Sequence, residues 1–574
     1  MKLFTRLLGL LLGILLGILF FSSQGHAQIT TGKENIKEQM HHEIPDDSYK
    51  PNNFKHKKTS PAFTYRDGVF FTTQVNVNEL GQNILGDAAN EPSITIDPTD
   101  PARIAIGWRQ FDDVNNNFRQ AGYGYTSDFG ETWTFPGVID PGVFRSDPVL
   151  DCDSEGNFYY NSLTFNTSGD YICDVFKIEA GGYTWDEGTF AQGGDKQWMV
   201  IDKTGGQGDG NIYSFWTQSW SVCYPGHFTR SVDGNTSYED CEEVDGEPSW
   251  GTMAVGPEGE LYIVGDGSWL GLVVARSSTA SNPDMPVDWD FYSTVDLDGY
   301  LAIWPEVNPA GLLGQAYIDV DKSGGPGNGY VYVLASVERN SNSDPGDVML
   351  ARSTDGGVTW EEPIRINDDS GTSNYQWFGT LSVAPNGRID VVWLDTRDAL
   401  PGSYMSSLYY CFSLDQGDTW SENIRLSASF DPHVGWPNQD KMGDYFHMVS
   451  DDESAHLAWA GTFNEEQDVY YGRITPLATV IADANLSGNT FSLSCYPNPS
   501  NGQTTIRYML PDNYDVGLTL IDLYGKDIRV LLNAHQQAGS QKIVIHTGDL
   551  NGGVYFCRLQ AGSQTETTRI VVLK

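Results

Sequence analysis

Basic residues are scarce. The 574-residue chain carries 34 Lys plus Arg against 76 Asp plus Glu, a formal net charge of -42. The acidic excess is spread along the chain, so nucleic acid and anionic lipid are excluded as natural partners. A strongly anionic substrate is also disfavoured unless an arginine cluster inverts the local field. Long apolar runs are scarce too. After residues 7–21 none is long enough to span a bilayer, so the mature chain is expected to have no transmembrane segment. Cysteine is limited to seven residues, and none of their spacings is that of a zinc or haem site. No nucleotide-binding loop is visible. What the chain has instead is 62 Gly with 16 Trp, 29 Tyr and 26 Phe, a mixture suited to many short strands joined by tight turns.

The chain opens with Lys2 and Arg6, an apolar run at 7–21, and Gly25-His26-Ala27 before Gln28. This is the pattern of a signal peptide over 1–27. Residues 28–85 are expected to form an N-terminal extension. Its first part, to about residue 62, is polar and reads as exposed with little structure. Residues 69–77 read as a strand. Export permits disulfides, and Cys152 with Cys173 and Cys223 with Cys241 are close enough in sequence to pair.

One short pattern recurs over 86–475. It stands as Ser353-Thr354-Asp355-Gly356-Gly357-Val358-Thr359-Trp360, and again around Asp128 and Asp415, with a weaker copy at Asp233. The Asp and a Ser or Thr cap a turn, Gly takes a positive φ, and the Trp packs the returning strand. Seven pairs of short apolar strands accompany these turns, at intervals of roughly 50 to 65 residues, the size of a four-stranded unit. The last unit is one strand short, and residues 69–77 are available to complete it and close the ring.

The pattern resembles the Asp box of sialidase-like, BNR-repeat β-propellers. That resemblance implies an all-β fold, a propeller in which seven blades are favoured and six are the alternative. It places Asp128, Asp233, Asp355 and Asp415 on the face away from the binding site, as structural residues.

A linker at 476–490 leads to residues 491–574, whose alternating short strands predict an immunoglobulin-like β-sandwich. Tyr496-Pro497-Asn498-Pro499, the turn with Gly525 and Lys526, Gly553 with Tyr555, and the basic end resemble the type A C-terminal sorting domain of the type IX secretion system of Bacteroidetes. The resemblance implies export through the periplasm to the outside or the outer surface, with the secretion machinery as a partner.

The end of the ring opposite the Asp boxes is built by strand-two exits and strand-one entries, where polar side chains converge. The exits supply Arg109, Asp112, Asp113, Gln218, Asp395, Arg397 and Asp398. The entries supply Glu91, Arg145, Asp147, Asp195, Lys196, Glu247, Gln376, Asp440, Lys441 and Asp444. Trp250, Trp377 and Tyr445 are candidates to offer flat faces to a sugar, with Gln376, Lys196 and Lys441 as polar substrate contacts. In the sialidase family a tyrosine activated by a glutamate is the nucleophile, an aspartate is the acid, and three arginines grip the substrate carboxylate. The resemblance implies Arg109, Arg145 and Arg397 for that trio. The family's Arg-Ile-Pro element is absent, with Arg103-Ile104-Ala105 in its place, and no tyrosine matches the nucleophile.

Three functions stay open: sialidase-like action on or binding of extracellular glycans, hydrolysis of another glycan by Asp112 or Asp113 facing Asp395 or Asp398, and a non-catalytic binding propeller. No cofactor is expected. Structural calcium is left open at two loops, around Asp202, Asp209 and Asn211 and around Asp319, Asp321 and Asn328.

Overall fold

The computed structural model describes residues 47–51, 57–267, 270–476 and most of 492–572. The signal-peptide stretch, the linker from residue 477 on, and Pro497, Asn498, Pro499 and Gly525 lie outside the described residues. The chain divides into two compact units, Met1–Thr475 and Pro476–Lys574.

The first unit is all-β. Ala88–Ile96, Ile104–Phe111, Arg119–Thr126 and Thr134–Ile139 form the first of its main sheets, each strand antiparallel to the one before. Six more follow in chain order, opening with Ser146–Cys152, Trp198–Ile201, Met253–Val255, Tyr317–Val320, Gln376–Val383 and His447–Ser450. Trp250 to Val264 thus contributes the two opening strands of a fourth sheet. The third sheet has three strands. The seventh takes Phe70–Gln74 onto its third strand, Asp468–Ile474, and Thr64–Arg66 beyond it. The opening strand of each sheet touches that of the next, and the seventh touches the first, so the order is cyclic.

Burial explains why these residues make these strands. The first two strands of the sixth sheet, Gln376–Val383 and Ile389–Asp395, are buried along their whole length. Outer strands such as Phe291–Val295 alternate between half-buried and exposed positions. The middle of the ring is filled rather than open. Trp198 of the third sheet packs edge-on against Tyr317 of the fifth and against Tyr445 and His447 at the seventh. Burial lowers the His447 pKa to about 4, so the ring is neutral at neutral pH and accepts from the Ser93 hydroxyl at Nδ1.

The recurrent turns are alike to the atom. In the Asp355 turn the Ser353 hydroxyl donates to Oδ1 (2.8 Å), the Thr359 N–H donates to Oδ1 (2.9 Å), and the Thr359 hydroxyl donates to Oδ2 (2.7 Å). Asp128, Asp233 and Asp415 repeat the set with their own hydroxyls. The Thr359 N–H and hydroxyl hold Asp355 below the usual carboxylate range. The Trp of a turn reaches the preceding sheet: Trp133 packs on Tyr471, and Trp360 Nε1 donates to Ser293.

At the other end, each opening strand has a residue of positive φ near its start or just before it. Glu91 (49°), Asp147 (47°) and Phe378 (55°) lie inside their strands, and Lys196 (55°), Trp250 (58°), Gly314 (156°) and Gly443 (100°) lie a few residues before theirs. Pairing slips at Asn90/Ser93 and at Trp377/Thr380, as a β-bulge requires. Non-glycine residues hold this conformation only where their surroundings fix it.

Two sequence expectations change here. The N-terminal extension is not wholly free: Asp47 and Asn117 exchange hydrogen bonds (3.2 and 3.1 Å), and Tyr49 packs on Phe118. Cys223 and Cys241 form a disulfide, whereas Cys152 and Cys173 are free, buried thiols. Cys152 donates to the Ile96 carbonyl, and Cys173 lies against Gly193, so each is held by its own surroundings.

The second unit has a three-stranded sheet of Ser492–Tyr496, Gln503–Leu510 and Gly539–His546. A four-stranded sheet is built from Asp527–Gln536, Tyr514–Ile521, Gly553–Ala561 and Gln564–Val572. Ile506 and Ile545 share one core with Leu518, Leu559 and Ile570. Tyr496, Gly553 and Tyr555 lie on strands, and Lys526 is exposed before one.

Candidate functional site

The entries of the first, second, third and seventh sheets, with the Arg109 exit of the first, aim charged side chains at one another. Arg109 Nε meets Glu91 Oε2 at 3.1 Å, and Lys441 Nζ lies 3.6 Å from Glu91 Oε1 and 2.9 Å from Asp444 Oδ2. Lys196 Nζ lies 2.8 Å from Asp444, 3.5 Å from Asp147 and 3.9 Å from Asp195. None of these side chains is more than 6% exposed. Cations and carboxylates alternate from Arg109 through Glu91, Lys441, Asp444 and Lys196 to Asp147, with Asp195 a fourth carboxylate at the edge, and burial pushes the Glu91 carboxyl up to about 8. Tyr445 adds a hydrogen bond across the ring, its hydroxyl donating to the Pro148 carbonyl (2.8 Å).

This arrangement corrects most of the substrate-contact candidates. Lys196 and Lys441 are locked in that network. Gln376 is buried and donates to Asp395 (3.1 Å). Trp377 is buried with its indole N–H on Ser406 (3.1 Å), and Tyr445 is buried in the middle of the ring. None of these five offers a face to solvent. Trp250, half-buried, packs against the core between the fourth and fifth sheets.

The arginines are likewise committed, each to its own surroundings. Arg109 is buried beside Glu91 and Asn90, with Gln439 near its tip. Arg145 pairs with Asp140 (3.0 Å) and Asp174 (2.9 Å). Arg397 pairs with Asp395 (2.8 Å) and Asp368 (2.5 Å) and lies over the Tyr409 ring. No carboxylate among these serves two of the three guanidinium groups.

Among the candidate acids, Asp395 is buried and saturated by Gln376, Trp393 and Arg397. Asp398 accepts from the Tyr409 hydroxyl (2.8 Å) and pairs with Arg425 (3.2 Å). Asp113 caps the Asn115 N–H (2.9 Å). Asp112 lines a cleft of about 180 Å³ with Tyr49, Lys50, Pro51, Phe118 and Gln120. Burial pushes its carboxyl up to about 6, although Gln120 donates to it. Asp112 and Asp113 belong to the first sheet and Asp395 and Asp398 to the sixth, with the seventh between them.

Sequence reasoning missed a row of aromatic rings at this same end. Tyr375 enters the sixth sheet, Tyr404 follows its second strand, and His433 and Trp436 lie on the connection to the seventh. Ring centroids are 6.1 Å apart for Tyr375 and Tyr404, 5.0 Å for Tyr404 and His433, and 4.9 Å for His433 and Trp436. All four are half-buried. Glu306, exposed on the connection between the fourth and fifth sheets, accepts from the Tyr404 hydroxyl at 2.6 Å. That hydrogen bond pushes the tyrosine up to about 12. His433 Nε2 donates to the Val307 carbonyl (3.1 Å). The Tyr404–Glu306 pair spans 98 residues of sequence, and no local motif marks it.

At the end that carries the four Asp turns, Tyr292, Trp360, Asp296, Glu361 and Glu362 line a cleft of about 560 Å³ beside the Asp355 turn. In the loops considered for calcium, one oxygen each of Asp202, Asp321 and Asn328 is taken by a backbone N–H. Asp202 Oδ1 accepts from Thr204 N (2.8 Å), Asp321 Oδ1 from Ser323 N (2.8 Å), and Asn328 Oδ1 from Gly324 N (2.9 Å). Among the described residues no group of three or more His, Cys, Asp or Glu side chains is arranged to hold a metal ion.

Residues 494–573 match the family described as the secretion system C-terminal sorting domain. The protein is secreted or attached to the outer surface. Its sorting domain engages the type IX secretion machinery. Among the described residues no helix is long and apolar enough to cross a membrane. No curated protein matches the chain. Solved structures similar to it include a protein of unknown function from Dyadobacter fermentans, at 14% identity over 70% of this chain and 97% of that one, with a TM-score of 0.39. A fungal alcohol oxidase of the AA5 family in complex with copper is 9% identical over 90% of this chain and 100% of that one, at 0.43. A sialidase of Trypanosoma rangeli is 8% identical over 86% of each chain, at 0.36.

Proposed function

We propose that residues 88–474 form a seven-bladed, sialidase-like propeller that binds an extracellular glycan at the end opposite its Asp boxes. The cyclic order of seven sheets and the four uniform Asp turns support the propeller. The observation that carries the binding role is the half-buried aromatic row beside the exposed carboxylate of Glu306. Aromatic faces with a few fixed polar groups suit a sugar. The pairing of Arg109, Arg145 and Arg397 with separate carboxylates speaks against a sialidase's three-arginine grip, because a substrate carboxylate would have to displace each partner. The second unit serves export, and the signal peptide at 1–27 begins it.

A second reading is hydrolysis, favoured by one observation. The Tyr404 hydroxyl already donates to Glu306 at 2.6 Å, the geometry of a nucleophile beside a base. Incubating the secreted chain with chromogenic sialoside and neutral glycoside substrates, alongside a glycan array, separates the two. The binding reading expects array signals without turnover. Turnover lost in Tyr404→Phe would replace it with the hydrolase, and silence on both would reject a glycan role.

A further inference from the structure

We propose that Tyr375, Tyr404, His433 and Trp436 form a subsite for the rings of an uncharged oligosaccharide, with Glu306 accepting from its hydroxyls. This builds on the glycan-binding reading above and adds which sugar chemistry is taken and where.

The row is held and open at once. Tyr404 is tied to Glu306 and His433 to the Val307 carbonyl, so neither ring is free to turn away. Yet all four rings keep part of their surface in solvent. A pyranose presents an apolar C–H face to such a ring and hydroxyls at its edge. The edge groups here are complementary. The Tyr404 oxygen, having donated its hydrogen to Glu306, is left as an acceptor, and the exposed Glu306 carboxylate accepts further hydrogens. The Trp436 indole N–H is buried and has no acceptor among the described residues. That N–H is closed to solvent, so what Trp436 offers a sugar is its ring face.

Charge selects a neutral ring. A sugar carboxylate calls for a guanidinium or ammonium partner. The arginines of the sixth sheet are already neutralised: Arg397 by Asp395 and Asp368, Arg425 by Asp398. Arg109 and Lys441 are sealed with Glu91 in the buried network. The Glu306 carboxylate is fixed at the side of the row, and Asp431 accepts from the His433 backbone N–H (2.9 Å), so the charge beside the rings repels an anionic sugar.

The test titrates the full secreted chain with cellohexaose, xylohexaose, mannohexaose and laminarihexaose, and with 3′-sialyllactose, reading heat and tryptophan fluorescence. At least one neutral hexasaccharide is expected to bind. Trp436→Ala and Tyr404→Ala should each weaken it about tenfold or more. Trp436→Phe, which keeps an aromatic face of smaller area, should fall between parent and Trp436→Ala and guards against a misfolded alanine variant. Tyr183→Ala, on an exposed ring beside the second sheet's outer hairpin, should change nothing. Neutral-sugar binding untouched by every row substitution would overturn the subsite and leave the glycan reading standing. Binding of sialyllactose alone would overturn the neutral preference. No binding to any of the five overturns the subsite, and a silent glycan array beside it would overturn the glycan reading as well.

Discussion

Two groups of polar and aromatic residues sit at the same end of the first unit, and they are built in opposite ways. The network of Glu91, Arg109, Asp147, Lys196, Lys441 and Asp444 is dry and internally matched, with every charge facing its counter-charge. The row from Tyr375 to Trp436 is half-open, with a carboxylate at its side and an indole N–H lacking an acceptor. A dense cluster of charges is thus the clamp that joins the first, second, third and seventh sheets. The proposed recognition surface is the less charged region.

Breaking the clamp should have the largest effect. Lys196→Met leaves Asp147 and Asp444 buried with one cation fewer, and should cost about 3–5 kcal/mol. Chemical denaturation of the parent and variant chains checks this. A loss below about 1 kcal/mol would remove the distinction between clamp and site.

The Asp turns come next. Asp355→Ala removes the acceptor for two hydroxyls and one N–H, and should cost about 1–2 kcal/mol while leaving oligosaccharide affinity unchanged. A change in affinity would mean that the two ends of the unit are coupled.

The smallest effect concerns Asp112. Its carboxyl is raised to about 6, so the folded state holds its proton more tightly than the unfolded chain does. Its contribution to stability is therefore full below the ordinary carboxylate range, near pH 4, and declines as pH rises through about 6. Asp112→Asn should melt about 1–2 °C above the parent at pH 7, and the gap should close toward pH 4. A gap that widens on acidification would reverse the assignment.

What was legible in the sequence follows the range of the interactions. The all-β class could be read because alternation and turn chemistry are local. Asp355 binds Thr359, four residues on, so a spacing carried it. The sorting tail is a set of short, ordered motifs, and its recognition did not depend on the fold. The site was less accessible. Listing residues by strand end picked out Arg109, Lys196 and Lys441, yet whether a side chain at such a position is sealed or exposed depends on partners far away in the chain. Arg109 meets Gln439 across 330 positions, and Lys196 is neutralised by Asp444. Tyr404 and Glu306 carry no motif, and only the folded connections bring them together. The N-terminal segment at Asp47 read as free because its mate, Asn117, is 70 residues on.

The most direct measurement is a crystal structure of the chain soaked with the neutral hexasaccharide that binds best. The account predicts a sugar ring against Tyr404 and Trp436, a hydroxyl within hydrogen-bond distance of Glu306, and the Glu91–Arg109–Lys441–Asp444–Lys196 network unchanged. A sugar seated instead over an opened network, with Arg109 or Lys441 turned from Glu91 to the ligand, would contradict it.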